Sequence, residues 1–176
     1  MELNNSIFGF SKGMVSKSLR KVLHSELSDH DVECISIVLI CHLMIENRIN
    51  KLLYNWMADS IPYMGSTGDQ DAVLNNESVK KQVEDNIVKK LNFSKKVQLI
   101  KPLATALWKE EGDGILKEIY EINDIRNGIF HYLKVKEVKF KDKLLTSEGG
   151  IEAFVDIIHQ TLLNIDDLIE LIAKQG

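Results

Sequence analysis

Three side chains whose types suit phosphate binding and proton transfer, those of Arg126, Asn127 and His131, lie within six consecutive positions. Histidine exchanges a proton near neutral pH, which suits a general base or acid. Arginine stays charged, and its planar fork matches two phosphate oxygens. Cleavage of RNA without a metal needs a base for the 2′-hydroxyl proton and a cation for the crowded phosphate. Asn127 could orient the imidazole or bind a phosphate oxygen, so the three residues are candidate catalytic residues.

An amphipathic helix from about Gly114 to Leu133 is expected to hold these residues, because apolar positions recur with a helical period of about 100° per residue. Arg126 falls close to the apolar stripe, where a guanidinium is costly unless it is paired. A partly buried Glu46 is its expected partner, although a surface pair of Glu46 with a nearby lysine or arginine is the alternative. The apolar stripe comprises Ile115, Ile119, Ile122, Ile125, Ile129 and Leu133, and the opposite, polar face comprises Tyr120, Asp124, Asn127 and His131.

Two features of this helix limit how the site can work. Gly128 costs about 1 kcal/mol of helix propensity relative to alanine, which suggests a close backbone approach. Arg126 and His131 are five residues apart, so their side chains diverge by about 140° around an ideal helix. One helix alone does not easily bring both to one phosphate. A two-fold dimer that juxtaposes two such helices would supply both groups, and a homodimer is therefore expected.

The run from Arg126 to His131 resembles the R-N-x-x-x-H signature of the HEPN family, in which four residues separate the arginine from the histidine. The resemblance implies an all-α bundle that often dimerises. It also implies a metal-independent ribonuclease of the kind found in toxin-antitoxin, phage-defence and RNA-processing systems, with RNA as substrate and an antitoxin or other protein as partner. It implies no cofactor and no metal. Asp124, Tyr132 and Glu46 are supporting candidates, although some family toxins carry a tyrosine two residues after the histidine, where this chain has Leu133.

Two other interpretations stay open from the residues alone. The chain could be a catalytically inactive HEPN-like module that binds a nucleotide, RNA or a protein. It could also be an unrelated helical scaffold in which Arg126 makes a structural ion pair. The net charge of −4 argues against a broad nucleic-acid-binding surface. Any RNA contact must therefore use a local patch, and residues 134–143, with five lysines, are the most basic stretch.

The remaining composition predicts one soluble domain over residues 1–176. With 44% hydrophobic and 27% charged residues, the chain is long enough to bury a core. Cys34 and Cys41 lie seven residues apart on one predicted helix, about 10 Å along its axis, too far for a disulfide within it. No signal peptide or membrane span is recognised at the sequence level, so a cytoplasmic location is expected.

The fold class expected is all-α, a bundle of about five to six helices with a short extended arm or strand near residues 135–141. The first two helices are a short one containing Val15–Leu23 and a long one that starts at Ser28–Asp31 and runs to about Met57. Residues 59–76 are predicted to be a polar loop, either mobile or a lid. Three helices follow. The first covers residues 77–91, and the second begins at a cap at Ser94 and has a kink or restart before Pro102. The third begins at a cap at Asp113. The last helix runs from Gly150 to about Lys174.

Overall fold

A computed structural model describes residues 27–59, 76–108, 112–132, 137–147 and 149–173. Of residues 58, 59, 76–80, 107, 108, 130–132 and 173 it describes the backbone alone. The described residues are 85% helical, with five α-helices and one two-stranded antiparallel sheet. The predicted all-α class with a short extended segment is thereby confirmed. The predicted helix at Val15–Leu23 and nearly all of the predicted loop at 59–76 lie outside the described residues.

Helix α1 spans Asp29–Asp59, two residues further than its predicted end. Its first turn is closed by a reciprocal pair of contacts between Ser28 and Asp31. The Asp31 N–H donates to Ser28 Oγ at 3.2 Å, and the Ser28 N–H donates to Asp31 Oδ2 at 3.0 Å. These bonds satisfy backbone donors that the first turn of a helix leaves unpaired, as in a capping box.

One apolar stripe of α1 is buried along most of the length of the helix. Its periodic spacing places one apolar side chain in the core at every turn. Cys34 and Cys41 are free, buried thiols inside this core. The buried side chains of the stripe are Ile35, Val38, His42, Ile45, Ile49, Leu52 and Leu53.

Helix α2 spans Asn76–Asn86, a 3-10 turn spans Val88–Lys90, and helix α3 spans Phe93–Trp108. The residue that caps α3 is Asn92, whose Oδ1 accepts the Lys95 N–H at 2.9 Å. The predicted cap, Ser94, lies inside the first turn, so that expectation was wrong by two residues. Pro102 lies within α3, which continues through it without the expected restart. Pro102 is exposed.

Helix α4 spans Gly112–Tyr132 and carries the Arg126–His131 run near its end. Asp113 therefore lies in its first turn rather than at the cap. Strands β1 (Lys139–Phe140) and β2 (Lys143–Leu144) pair antiparallel, slightly later than the predicted arm. Helix α5 spans Gly150–Ala173. Its start requires glycine, because a Cβ on Gly150 would overlap the carbonyl oxygen of Leu144.

The chain divides into two compact units, described here separately. The hairpin unit comprises the described residues of Met1–Met44 and Glu121–His159. The second unit comprises those of Ile45–Tyr120 and Gln160–Gly176. The Arg126–His131 run and the β1–β2 hairpin belong to the hairpin unit. The prediction of a single domain stays a prediction.

Candidate functional site

The arginine and the asparagine of the predicted site contact each other directly. Arg126 Nη1 donates to Asn127 Oδ1 at 2.9 Å, and both residues are partly buried. The guanidinium therefore meets a polar acceptor beside the apolar stripe, where sequence analysis expected it to need one. Adjacent helical residues point about 100° apart, so this bond turns the two side chains toward one another. The pair forms a small, partly buried polar group on α4.

The other predicted site residues on α4 divide into two groups. Asp124 is exposed, on the polar side of the helix, as its spacing predicts. His131 and Tyr132 complete the backbone of α4, and their side chains lie outside the described residues. The buried stripe of the helix contains Ile115, Ile119, Ile122, Ile125 and Ile129. By the helical period Arg126 lies beside this stripe and Asn127 lies opposite it.

Gly128 lies where the chain after α4 returns onto the helix. A Cβ built on Gly128 would lie 3.8 Å from Cγ2 of Val138, an ordinary van der Waals contact. The sequence predicted a close approach at Gly128, and Val138 makes one, but without excluding a methyl group. Val138 immediately precedes β1, so the β1–β2 hairpin begins beside the Arg126–His131 run.

Asn123 links the start of this run to helix α1, a role that sequence analysis missed. His42 Nε2 lies 3.3 Å from Asn123 Oδ1, and both residues are buried. A buried imidazole needs such a partner, so His42 is a core histidine whose hydrogen bonding is satisfied. The only sequence signal for this bond was a polar residue at a buried position on each helix.

Glu46 has a different partner from the one predicted. Lys96 Nζ lies 2.6 Å from Glu46 Oε1, and the side chains are 3% and 27% exposed respectively. Sequence analysis assigned Glu46 to Arg126 because both fall at the edges of apolar stripes. The sequence did not indicate Lys96 as the partner, because lysines are mostly exposed and are almost never fully buried unless they are paired. The structure thus makes Glu46 part of a nearly buried ion pair in the second unit.

The two cysteine thiols of α1 are buried. Burial raises the pKa of the Cys41 thiol to about 12 and that of Cys34 to about 11, with nearby carboxylates adding to the effect at Cys34. Both thiols are therefore protonated and poorly nucleophilic near neutral pH.

Among the residues that the structure describes, no three His, Cys, Asp or Glu side chains are grouped to hold a metal ion. No helix within those residues is long and apolar enough to cross a membrane.

Comparison with known proteins adds no relative to this description. No protein-family model, curated protein or solved structure matches the chain at a significant level. The chemistry of the site therefore has to be argued from its residues. A charged guanidinium, an amide and an imidazole on one helix end suit binding of a phosphate group and transfer of a proton at it.

Proposed function

We propose that this protein is a metal-independent endoribonuclease of the HEPN type, a toxin or phage-defence component. The observation that carries the proposal is the Arg126–Asn127 pair at 2.9 Å, one helical turn before His131 on α4. Arg126 binds the phosphate, His131 moves the proton, and Asn127 supports them.

The reaction needs only the groups of this site and the RNA. His131 takes the proton of a 2′-hydroxyl, and the 2′-oxygen attacks the adjacent phosphorus. The bond to the 5′-oxygen breaks, and that oxygen takes up the proton that His131 had accepted. The products are a 2′,3′-cyclic phosphate and a 5′-hydroxyl end. The negative charge that develops on the phosphate oxygens is stabilised by Arg126, which stays charged at every relevant pH.

The test is incubation of the purified protein with total RNA in excess EDTA, beside Arg126→Ala and His131→Ala. Wild type is expected to cleave and to leave 5′-hydroxyl ends. Each variant is expected to lose at least about a hundredfold in rate, the usual contribution of a general acid or base. Circular dichroism must show all proteins equally folded.

Matched controls are Arg48→Ala and His159→Ala. Arg48 is exposed and pairs with Asp166 at 2.8 Å, and His159 is exposed on α5. Both controls are expected to cleave like wild type. Equal cleavage by every protein would indicate a contaminant or another site and would overturn the proposal.

The second candidate is a catalytically inactive HEPN-like module that binds a nucleotide, RNA or a protein. The net charge of −4 favours it, because it argues against a broad nucleic-acid-binding surface. The divergence of about 140° between Arg126 and His131 on one helix favours it as well. A folded wild-type protein that binds RNA through Arg126 but does not cleave it would establish this alternative.

A further inference from the structure

The β1–β2 hairpin carries exposed lysines at alternate positions, Lys139, Lys141 and Lys143. Residues 134–143 contain five of the 22 lysines and arginines of the chain, against one glutamate and one aspartate, while the whole chain has a net charge of −4. Positive charge is thus concentrated in a short segment of an acidic protein. A polyanion is the ligand that such a segment attracts.

The hairpin is anchored, so its lysines are presented on a fixed backbone. Phe140 is 1% exposed, and its ring packs edge-on against Phe154 of α5 at 5.4 Å between centroids. The Leu145 N–H donates to the Val138 carbonyl at 3.0 Å, and Leu145 is fully buried. Binding to a fixed surface costs less conformational entropy than binding to a loop that must first become ordered.

The tip of the hairpin adopts a backbone that its residues do not favour. Lys141 has φ 46° and Asp142 has φ 66°, which is the two-residue turn that normally uses asparagine and glycine. A lysine thus occupies a position where glycine would be less strained, and its Nζ lies 5.6 Å from the centre of the Phe140 ring. Strain of this kind is more frequent at functional sites than elsewhere.

The hairpin also lies beside the candidate site in the same unit. Val138, the residue before β1, has a methyl group 3.8 Å from the place where a Gly128 Cβ would be. Gly128 directly follows Arg126 and Asn127. By the helical period the Gly128 position faces about 100° from Asn127 and about 160° from Arg126, so the hairpin begins beside the Arg126–His131 run on a side of α4 away from the Arg126 guanidinium.

We propose that the β1–β2 hairpin binds the phosphate backbone of the RNA on which the α4 site acts. Lys139, Lys141 and Lys143 contact phosphates further along the strand than the one held by Arg126. The contacts are to the backbone, so they supply affinity and position but no base preference. This inference rests on the proposed function for the identity of the ligand, and it is tested by binding rather than by cleavage.

The experiment measures fluorescence anisotropy of a labelled, 2′-O-methylated single-stranded RNA with the wild-type chain over a range of salt concentrations. The 2′-O-methyl group removes the nucleophile, so cleavage cannot interfere. The variant Lys139→Gln/Lys141→Gln/Lys143→Gln is expected to bind at least tenfold more weakly. The slope of log Kd against log salt is expected to fall by about 2, since each phosphate contact on a single strand contributes about 0.7. Glutamine removes the charge with a polar side chain only one atom shorter, and it keeps the backbone cost of a side chain at position 141.

Two further variants make the result specific. Replacement of the same three lysines by arginine keeps the charge and is expected to keep the affinity. Lys95→Gln/Lys101→Gln/Lys117→Gln removes the same charge from exposed positions on α3 and α4, and it is expected to bind like wild type.

Three outcomes would overturn the inference: no RNA binding by wild type at low salt, unchanged binding by the hairpin variant, or equal weakening by the α3–α4 variant. Failure of the ribonuclease proposal gives a result different from these three outcomes. A protein that never cleaves RNA but binds it through the hairpin lysines would refute the enzyme and retain the RNA-binding surface.

Discussion

Gly128 is the residue at which the stability of α4 and the geometry of the candidate site can be separated. Its added Cβ would make only an ordinary contact with Val138, so Gly128→Ala removes the flexibility of glycine without a clash. We expect it to stabilise the protein by up to about 1 kcal/mol, the difference in helix propensity. A rise in Tm of about 2–4 °C in a thermal melt would correspond to that gain for a chain of this size.

Gly149→Ala is the matched control for that substitution. Gly149 has φ 74° with nothing within 4 Å of an added Cβ, so space is equally free but the backbone is left-handed. A side chain there costs about 1–2 kcal/mol, and Tm should fall. Destabilisation by Gly128→Ala would show that the hairpin packs more tightly on α4 than the 3.8 Å approach indicates.

The burial of a single residue was predictable where its neighbours along the chain determine which face of a helix it occupies. His42 and the two cysteines recur with the apolar residues of α1, so their burial follows from the helical period alone. Lys96 and Asn123 were not predictable in this way. Each is buried by the partner that a different helix supplies, and one sequence carries no record of which helices pack together.

At the scale of helices, the buried pair between α1 and α3 is the contact whose strength can be measured. We expect Lys96→Met to destabilise the protein by about 1–3 kcal/mol, because Glu46 loses its partner while three quarters of its surface remain covered. The double variant Lys96→Met/Glu46→Leu should recover most of the loss, since apolar replacement of both partners is often neutral. Urea unfolding midpoints, compared at constant m-value, give these differences.

The exposed pair Arg48–Asp166 provides the reference for that measurement. Its side chains are 44% and 40% exposed at a distance of 2.8 Å, so Arg48→Met should cost no more than about 1 kcal/mol. If Arg48→Met and Lys96→Met cost the same, burial of the Lys96–Glu46 pair has no energetic consequence. If the double variant is less stable than Lys96→Met, the unpaired Glu46 charge is not what destabilises Lys96→Met.

Helices and hairpin differ in how well the sequence predicted them. Long apolar periods placed α1, α4 and α5 to within a few residues, because one buried stripe runs the length of each. The ends were less certain. Asn92 and Ser94 are both good caps, and only the backbone conformation distinguishes them. The hairpin turn lacks the usual Asn-Gly signal, since Lys141 and Asp142 occupy it, so alternation alone suggested an extended segment.

For the whole molecule, we expect the proposed ribonuclease site to be shared between two copies of the chain. Arg126 and His131 diverge by about 140° on α4, and Arg126 is already turned toward Asn127 at 2.9 Å. A two-fold dimer can instead place Arg126 of one copy beside His131 of the other. Light scattering of the purified protein should then give twice the 20.0 kDa chain mass.

Mixing two inactive variants tests this shared site directly. In a dimer of one Arg126→Ala chain and one His131→Ala chain, one of the two composite sites retains both groups, and the other lacks both. After unfolding and refolding together, half of the dimers contain both variants, so about a quarter of wild-type activity should return. Sites built within single chains would stay inactive in the mixture. If the two variants dimerise normally and their mixture is still inactive, Arg126 and His131 of the same copy act at one phosphate.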